Sequence, residues 1–380
     1  MVRGAVKELA LLQDLEKIEA DYKSRFGSPP YNLSHWDPSN RIQERLLSSL
    51  ELPIPVSEIP YCFSYELEEL PSIIVGLGCN TNSTGCLVTP SGSASIQCVL
   101  SFFRSIGVKS IAALCPCYFT VPYACQQLNI NLTRIYLRRS SDGFEVPDIP
   151  SMSSFDAIWI TNPVYCAGVY PSAEYDSLVA ETIAAGSFVV VDECLCEPGL
   201  EMVRKWGKEE NFLSIVSPHK SLCINGLKFS AILMPKVHLG IFDQWADIQY
   251  GCLSPTNHLA VRHYLSGNFA LIQAKVRSTA ATEAAFAASV CDSLSNLEYD
   301  CDAVGYLRTY YAGHIPGSRA TDVSTLSTII DGCGVSLIPG QRNHFSTDIP
   351  FCLRVNLMRS GSEFRGAFSR LLNYLDAFRC

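Results

Sequence analysis

Hydrophobic positions along the chain follow two different spacings. In residues 5–24, apolar side chains recur every three or four positions with Lys, Glu and Asp between them, which predicts an amphipathic helix. From about residue 73, short apolar runs alternate with helical stretches. The runs predicted as strands cover residues 86–89, 110–114, 132–137, 157–161, 188–192, 212–217 and 229–234, and helices are predicted to begin between them at 91, 121 and 173.

These predicted strands are apolar throughout. They lack the alternation of apolar and polar residues that is typical of a sheet with one solvent-exposed face. Such strands, separated by helices, indicate a mainly parallel sheet that is covered by helices on both sides. The fold class is therefore predicted to be α/β, with a sheet of the seven-stranded type in a large domain.

The C-terminal part of the chain has a different pattern. A region rich in Ala, Leu and Val predicts a helix over residues 267–294, and the residues after 297 predict short strands, a strand at 351–357 and a final helix at 363–378. We expect three parts. They are an N-terminal helical arm or lid with a small-domain segment (1–40), a large cofactor domain (41–295) and a smaller α+β domain (296–380).

Composition narrows the class of protein. The 380 residues allow two or three domain-sized cores, and a net charge of -8 without a Lys/Arg cluster gives no footprint for nucleic acid. No apolar run is long enough to span a membrane and no signal-like segment opens the sequence, so we expect a soluble cytoplasmic protein.

Cysteine is frequent, with 17 residues, and most of them lie inside apolar runs. This placement predicts buried thiols in a reducing compartment. The pairs Cys115/Cys117 and Cys194/Cys196 have no partner Cys or His pair at the spacing of a zinc site, so no metal is expected.

Residues with useful chemistry follow each predicted strand, at the edge where parallel α/β sheets bind ligands. A lysine amine can form an imine with a carbonyl group, an acid can pair with a pyridinium nitrogen, and a helix N-terminus with small hydroxyl residues can hold a phosphate. Lys220, Asp192 and the Ser91–Ser93 turn supply these three parts. They predict a site for a phosphorylated aldehyde cofactor.

The order of these pieces resembles the fold-type I pyridoxal-phosphate enzymes, specifically the class I/II aminotransferases of the aspartate aminotransferase type. The resemblance runs from about residue 33 to the end. The matching pieces are Tyr61 before Leu67-Glu-Glu-Leu70, Thr89-Pro-Ser-Gly-Ser-Ala94, Pro116-Cys-Tyr118, Thr161-Asn-Pro163, Val190-Val-Asp-Glu193, Ser217-Pro-His-Lys220, Gly226-Leu-Lys228, Val335 to Gly340 and Leu353-Arg-Val-Asn356.

The resemblance implies roles around the cofactor ring of pyridoxal 5'-phosphate. Lys220 would hold the cofactor covalently and move a proton at the substrate Cα. Asp192 would keep the ring nitrogen protonated, Asn162 would hydrogen-bond the phenolic oxygen, and Tyr118 would lie against the ring face.

The resemblance also implies the contacts of the cofactor phosphate and of the substrate. Ser91, Gly92, Ser93, Ser217 and Lys228 would surround the phosphate. Tyr61 would reach the phosphate of a neighbouring subunit, since sites of this family lie at the interface of a homodimer. Arg354 would bind the α-carboxylate of an amino acid.

His35 is a further candidate for substrate binding, because it lies in the irregular segment 31–38 that has several hydrogen-bonding side chains. The alternative is a loop histidine that only forms a local hydrogen bond.

The chain departs from the family pattern at three places that bear on the reaction. Leu195 stands where aminotransferases commonly have a tyrosine, and Lys228 stands where they have a phosphate-binding arginine. Between Asn162-Pro163 and Gly168 the chain has Val-Tyr-Cys-Ala, longer than the usual turn, so the loop beside the ring is expected to be reshaped. No second arginine is in a recognisable place for a dicarboxylate side chain, so an aminotransferase for a neutral or basic amino acid and a 2-oxo acid is expected. The alternatives are a cyclase, eliminase or oxidase of hydroxylated or guanidino amino acids, similar to capreomycidine synthase, and a cofactor-binding regulator.

Overall fold

The structure is a computed structural model, and it describes residues 7–47, 84–140, 143–147, 149, 154–170, 174–195, 201–251, 253, 254, 257, 259, 262, 263, 269–294 and 297–377. The strands are β1 (Tyr31–Asn32), β2 (Thr84–Thr89), β3 (Ser110–Cys115), β4 (Asn131–Tyr136), β5 (Arg138–Ser140), β6 (Gly143–Glu145), β7 (Ala157–Thr161), β8 (Phe188–Glu193), β9 (Phe212–Val216), β10 (Ser230–Pro235), β11 (Leu297–Tyr299), β12 (Leu307–Ala312), β13 (Val335–Ser336), β14 (Ile338–Pro339) and β15 (Phe351–Asn356). The helices are α1 (Lys7–Phe26), α2 (Asn40–Leu47), α3 (Gly92–Ser105), α4 (Thr120–Gln127), α5 (Glu174–Ala184), α6 (Glu201–Trp206), α7 (Pro218–Ser221), α8 (Leu239–Tyr250), α9 (Phe269–Cys291), α10 (Val323–Cys333) and α11 (Ser362–Ala377).

The larger sheet has seven strands in the order β2-β10-β9-β8-β7-β3-β4. Every neighbouring pair is parallel except the two that β10 forms with β2 and β9. The central strands β7 and β9 are buried at every position because both faces of the sheet are covered. The predicted α/β class with a mainly parallel, seven-stranded sheet is thus confirmed. The carboxyl ends of its parallel strands meet at one edge.

Helix α3 shows how the sequence builds the layer on this sheet. The Ser91 side chain accepts a hydrogen bond from the Ala94 N–H at 3.2 Å and caps the helix N-terminus. Apolar residues of the helix are buried against the sheet, and Phe102 stacks on Phe242 of α8 with ring centroids 4.5 Å apart. The cap therefore lies at the sheet edge where the parallel strands end.

A second, antiparallel sheet has the order β11-β12-β15-β14. Strand β1 from the N-terminal segment pairs in parallel with β13, and α1 packs on α10, where Arg25 forms an ion pair with Asp331. The predicted N-terminal helix, the long helix and the final helix are all present, with ends that differ by a few residues from the predicted ones. The N-terminal segment thus lies against the C-terminal elements.

The cysteine side chains are mostly buried, as the sequence predicts. Apart from the exposed Cys301, the cysteines in the described part of the chain are buried, and they form no disulfide there. Among the described residues, no helix has both the length and the apolar character needed to cross a membrane.

Candidate active site

Lys220 lies in the short helix α7, directly after β9. Pro218 occupies the first turn of this helix, where its missing N–H costs nothing. The Lys220 Nζ lies 5.6 Å from the ring centroid of Trp36 and 5.8 Å from that of Tyr118, so the amine is placed between two aromatic rings. Burial works to lower the pKa of Lys220, but its neighbours, Cys194 and then Asp192, raise the pKa above its ordinary value.

The N-terminus of α3 faces this amine across a very short gap. A methyl group on Gly92 would lie 3.2 Å from the Cys194 Sγ, 3.4 Å from the Ser217 Oγ and 3.7 Å from the Lys220 Nζ. Glycine therefore keeps this space open at a helix N-terminus, where the backbone N–H groups favour an anion. Ser93 follows in the first turn and is partly buried.

A chain of buried hydrogen-bonded hydroxyl groups lies next to the Gly92 position. The Ser217 Oγ lies 3.0 Å from the Ser230 Oγ and 3.1 Å from the Cys194 Sγ. Ser230 also accepts a hydrogen bond from Ser95 at 3.0 Å and donates to the Val216 carbonyl at 2.6 Å. Each hydroxyl thus has a partner, which holds Ser217 in position.

Two neighbouring strands carry the predicted partners of the cofactor ring. Asp192 is buried at the end of β8, and its Oδ1 accepts a hydrogen bond from the Cys194 N–H at 3.1 Å. Asn162 follows β7, and its Nδ2 donates to the Glu193 Oε1 at 3.4 Å. Glu193 accepts a further hydrogen bond from the Ser214 hydroxyl at 2.7 Å. The buried Glu193 therefore orients the Asn162 amide.

Arg354 comes from the other sheet, in β15, and only 2% of it is exposed. Its Nη2 donates to the Ser34 carbonyl at 2.6 Å, and its guanidinium lies 4.3 Å from the Trp36 ring centroid. No carboxylate of the described residues forms an ion pair with Arg354, and within the same ranges its Nε has no hydrogen-bond partner. A buried cation in this state is poised for an anionic ligand.

The structure does not bring all the predicted residues to this place. The His35 side chain is 51% exposed, and its Nδ1 accepts a hydrogen bond from the Asp37 N–H at 3.2 Å. Lys228 is exposed, although its charge helps to lower the pKa of His219. Tyr61 and the segment Leu67–Leu70 lie outside the described residues.

Sequence reasoning missed four residues in or beside the site, namely Trp36, Glu193, Cys194 and Tyr165, whose ring packs 5.7 Å from that of Tyr118. Trp36 and Tyr165 lie in segments without periodicity, so no pattern showed which way their rings point. Glu193 and Cys194 directly follow Asp192 at the end of a predicted strand, and this position was a signal that they could belong to the site. In the structure both are buried, Glu193 beside Asn162 and Cys194 beside Ser217.

His219 is the residue beside Lys220 and is also buried. Burial, with the charge of Lys220 as the next cause, lowers its pKa from 6.5 to about 3. His219 therefore stays neutral at neutral pH and adds no positive charge to the site.

A cavity of about 210 Å³ adjoins Lys220. Its wall contains small and apolar residues such as Pro163, Leu195 and Ala280, together with Arg277 and Arg308. None of the described residues that line it is acidic.

No protein-family model and no curated protein sequence matches the chain. Solved structures match it over nearly its whole length. An aspartate aminotransferase from Rhizobium meliloti matches with a TM-score of 0.76 at 13% identity, over 99% of this chain and 99% of that one. An N-succinyldiaminopimelate aminotransferase from Mycobacterium tuberculosis matches with a TM-score of 0.74 at 15% identity, over 95% and 96%.

A PLP-dependent aminotransferase from Streptococcus suis matches with a TM-score of 0.74 at 14% identity, over all of both chains, 100% and 100%. Sequence identity this low shows a similar fold only, and this fold is the one that the sequence motifs predict. The chain therefore has the fold of the fold-type I aminotransferases.

Proposed function

We propose that the chain is an aminotransferase that depends on pyridoxal 5'-phosphate. The observation that carries the proposal is the position of Lys220. Its amine lies between the rings of Trp36 and Tyr118 and 3.7 Å from the place that a methyl group on Gly92 would fill. An amine and an anion-binding helix N-terminus thus share one small space, which suits a ligand that has both an aldehyde and a phosphate.

The residues around Lys220 fit such a cofactor. Gly92, Ser93 and Ser217 would hold the phosphate, while Ser91 caps the helix behind it. Lys228 would add positive charge from the solvent side, because its side chain is exposed. When bound, the cofactor supplies the carbonyl group for a covalent link and a ring that accepts electrons from the substrate Cα.

The chain's own residues perform the remaining tasks. The Lys220 Nζ would move the proton at the substrate Cα. Asp192 supplies a buried negative charge for the ring nitrogen, and Asn162, oriented by Glu193, supplies an amide donor for the ring oxygen. Arg354 would hold the substrate carboxylate and so fix which Cα bond is presented to the ring.

For the substrate we propose a neutral L-amino acid. The cavity beside Lys220 has small and apolar walls, which suit an uncharged side chain. A basic side chain is disfavoured there, because Arg277 and Arg308 line the cavity and none of its described lining residues is acidic. The homodimer with Tyr61 at the interface, and the cytoplasmic location, stay predictions of the sequence.

The test is a transamination assay with the purified chain and added pyridoxal 5'-phosphate. Single L-amino acids are mixed with pyruvate or 2-oxoglutarate, and new alanine or glutamate is measured by mass spectrometry. Formation of the new amino acid, with Lys220→Ala inactive, is expected. Ammonia or a cyclised product that forms without any acceptor would instead identify a lyase or cyclase and contradict the proposal.

A further inference from the structure

We propose that Asn356 is a positioning residue for the Arg354 guanidinium. This inference rests on the proposed function, in which Arg354 holds the substrate carboxylate. Asn356 belongs to the motif Leu353-Arg-Val-Asn356, but the proposed function gives it no task. It acts through the backbone segment 34–37, which contacts both the guanidinium and the Asn356 amide.

Two contacts from segment 34–37 set the direction of the guanidinium. The Ser34 carbonyl accepts a hydrogen bond from the Arg354 Nη2 at 2.6 Å, and the Trp36 ring centroid lies 4.3 Å from the guanidinium carbon. The Ser34 hydroxyl also donates to the Arg354 backbone carbonyl. A planar guanidinium binds a carboxylate well only in a matching orientation, so a shift of this segment changes the carboxylate site.

The Asn356 amide holds this segment in place. Residues 33–39 belong to neither a helix nor a strand, so their backbone polar groups need partners from outside the segment. The Asn356 Nδ2 lies 2.8 Å from the carbonyl oxygen of His35 and 3.1 Å from that of Trp36. It also lies 3.3 Å from that of Asp37. One amide group therefore shares its N–H bonds among three successive carbonyls.

The amide itself has a fixed orientation. Asn356 is fully buried, and its Oδ1 accepts a hydrogen bond from the Met358 N–H at 2.9 Å, which leaves the Nδ2 to face the segment. Asn356 comes two residues after Arg354 on β15, so both side chains leave the same face of the strand. The amide and the guanidinium therefore meet segment 34–37 side by side.

A second amide binds the segment from the side of Lys220. Asn225 lies in the loop after α7, and its Nδ2 donates to the Trp36 carbonyl at 2.7 Å. Amides from β15 and from this loop thus bind one carbonyl oxygen. The Trp36 ring lies 5.6 Å from the Lys220 Nζ as well as against Arg354. The segment therefore connects the cofactor amine with the carboxylate site.

The test compares two amines on the full chain loaded with pyridoxal 5'-phosphate. 2-Methylalanine has a carboxylate and no hydrogen on Cα, whereas isopropylamine is the same amine without the carboxylate. Dissociation constants come from the change in cofactor absorbance. Asn356→Ala is expected to weaken 2-methylalanine about tenfold, the scale of one hydrogen bond to a charged group, and isopropylamine less than about threefold.

Val355→Ala is the matched control. Val355 is buried and points to the opposite face of β15, so its truncation removes packing from the strand and none of the hydrogen bonds to segment 34–37. The ratio of the two dissociation constants should stay as in the wild type. A general loss of stability in β15 is thereby distinguished from a loss of positioning.

An Arg354→Lys background shows whether Asn356 acts through the guanidinium. A lysine ammonium is a compact charge that needs no planar alignment. In this background Asn356→Ala should weaken 2-methylalanine less than about threefold, because no guanidinium is left to position.

Thermal unfolding confirms that each variant is folded. If Asn356→Ala does not fold, Asn225→Ala takes its place, since it removes the other amide that binds the Trp36 carbonyl. The same selective loss of 2-methylalanine binding is expected of it.

The outcomes separate this inference from the proposed function. If the wild type binds the cofactor and both amines, and Asn356→Ala weakens neither amine or both equally, the inference is wrong and the proposed function stands. A full effect of Asn356→Ala in the Arg354→Lys background would also overturn it, because the asparagine would then act without the guanidinium. If the wild type forms no link to the cofactor at Lys220, the proposed function fails, and this inference with it.

Discussion

The two walls of the site differ in how complete they are without a ligand. The proposed cofactor wall consists of Gly92, Cys194 and Ser217, and its hydroxyl and thiol groups hydrogen-bond one another. The proposed substrate wall is formed by Arg354, whose buried Nε has no hydrogen-bond partner among the described residues. The polar groups of the first wall satisfy one another, whereas the second wall keeps a buried donor for an anion. Variants on the two walls should therefore fail in different ways.

The largest effect is expected on the substrate wall. Arg354→Ala should weaken 2-methylalanine binding by about 3–5 kcal/mol, since it leaves a carboxylate in a buried place without its cation. Cofactor binding, measured separately, should change little. Arg365→Ala is the control, because that arginine pairs with Glu283 at 2.9 Å and has no place in the site. Unchanged binding in Arg354→Ala would show that another group holds the carboxylate.

A smaller effect is expected on the cofactor wall, where a variant should weaken cofactor binding. Gly92→Ala should weaken cofactor binding by about 1–3 kcal/mol, because the methyl group presses on the Cys194 Sγ at 3.2 Å and the Ser217 Oγ at 3.4 Å. Equilibrium dialysis with pyridoxal 5'-phosphate measures the change. In Gly226→Ala the new methyl group meets no atom within 4 Å, so this variant should bind normally. Equal affinities in the two variants would remove Gly92 from the cradle.

The last prediction concerns stability and not ligand binding, at His219, the residue next to Lys220 in α7. Its pKa is about 3 in the folded chain against 6.5 ordinarily, so the unfolded chain takes up a proton first as the pH falls. The folded state should therefore lose up to about 1.4 kcal/mol per pH unit from this group between pH 6.5 and 3, and nothing above that range.

Urea unfolding at pH 7, 6 and 5 measures this loss, and His219→Asn should show a shallower decline. If the two proteins decline in parallel, His219 does not titrate in this way.

Much of the fold and of the cofactor wall could be predicted from the sequence. Uniformly apolar runs identified the parallel strands, and parallel strands bring their carboxyl ends to one edge, so residues far apart in sequence such as Asn162, Asp192 and Ser217 could be placed together. Strand β4 shows the limit of such patterns, because its mostly exposed residues belong to an edge strand that the apolar run did not distinguish.

The substrate wall could not be predicted in the same way. The segment 31–38 has no periodicity, so the sequence did not show that Trp36 faces Lys220 and Arg354 while its neighbour His35 faces solvent. The loop 162–168 contains a left-handed residue at Cys166, whose carbonyl accepts a hydrogen bond from Thr309 across 143 positions of sequence. Such long-range contacts leave no mark on local patterns.

The central claim is that Lys220 is the amine that binds the cofactor. The chain is mixed with pyridoxal 5'-phosphate, reduced with borohydride and digested, and the modified peptide is identified by mass spectrometry. We expect the adduct on Lys220, with no adduct in Lys220→Ala. An adduct on a different lysine, or one that persists in Lys220→Ala, would contradict the account.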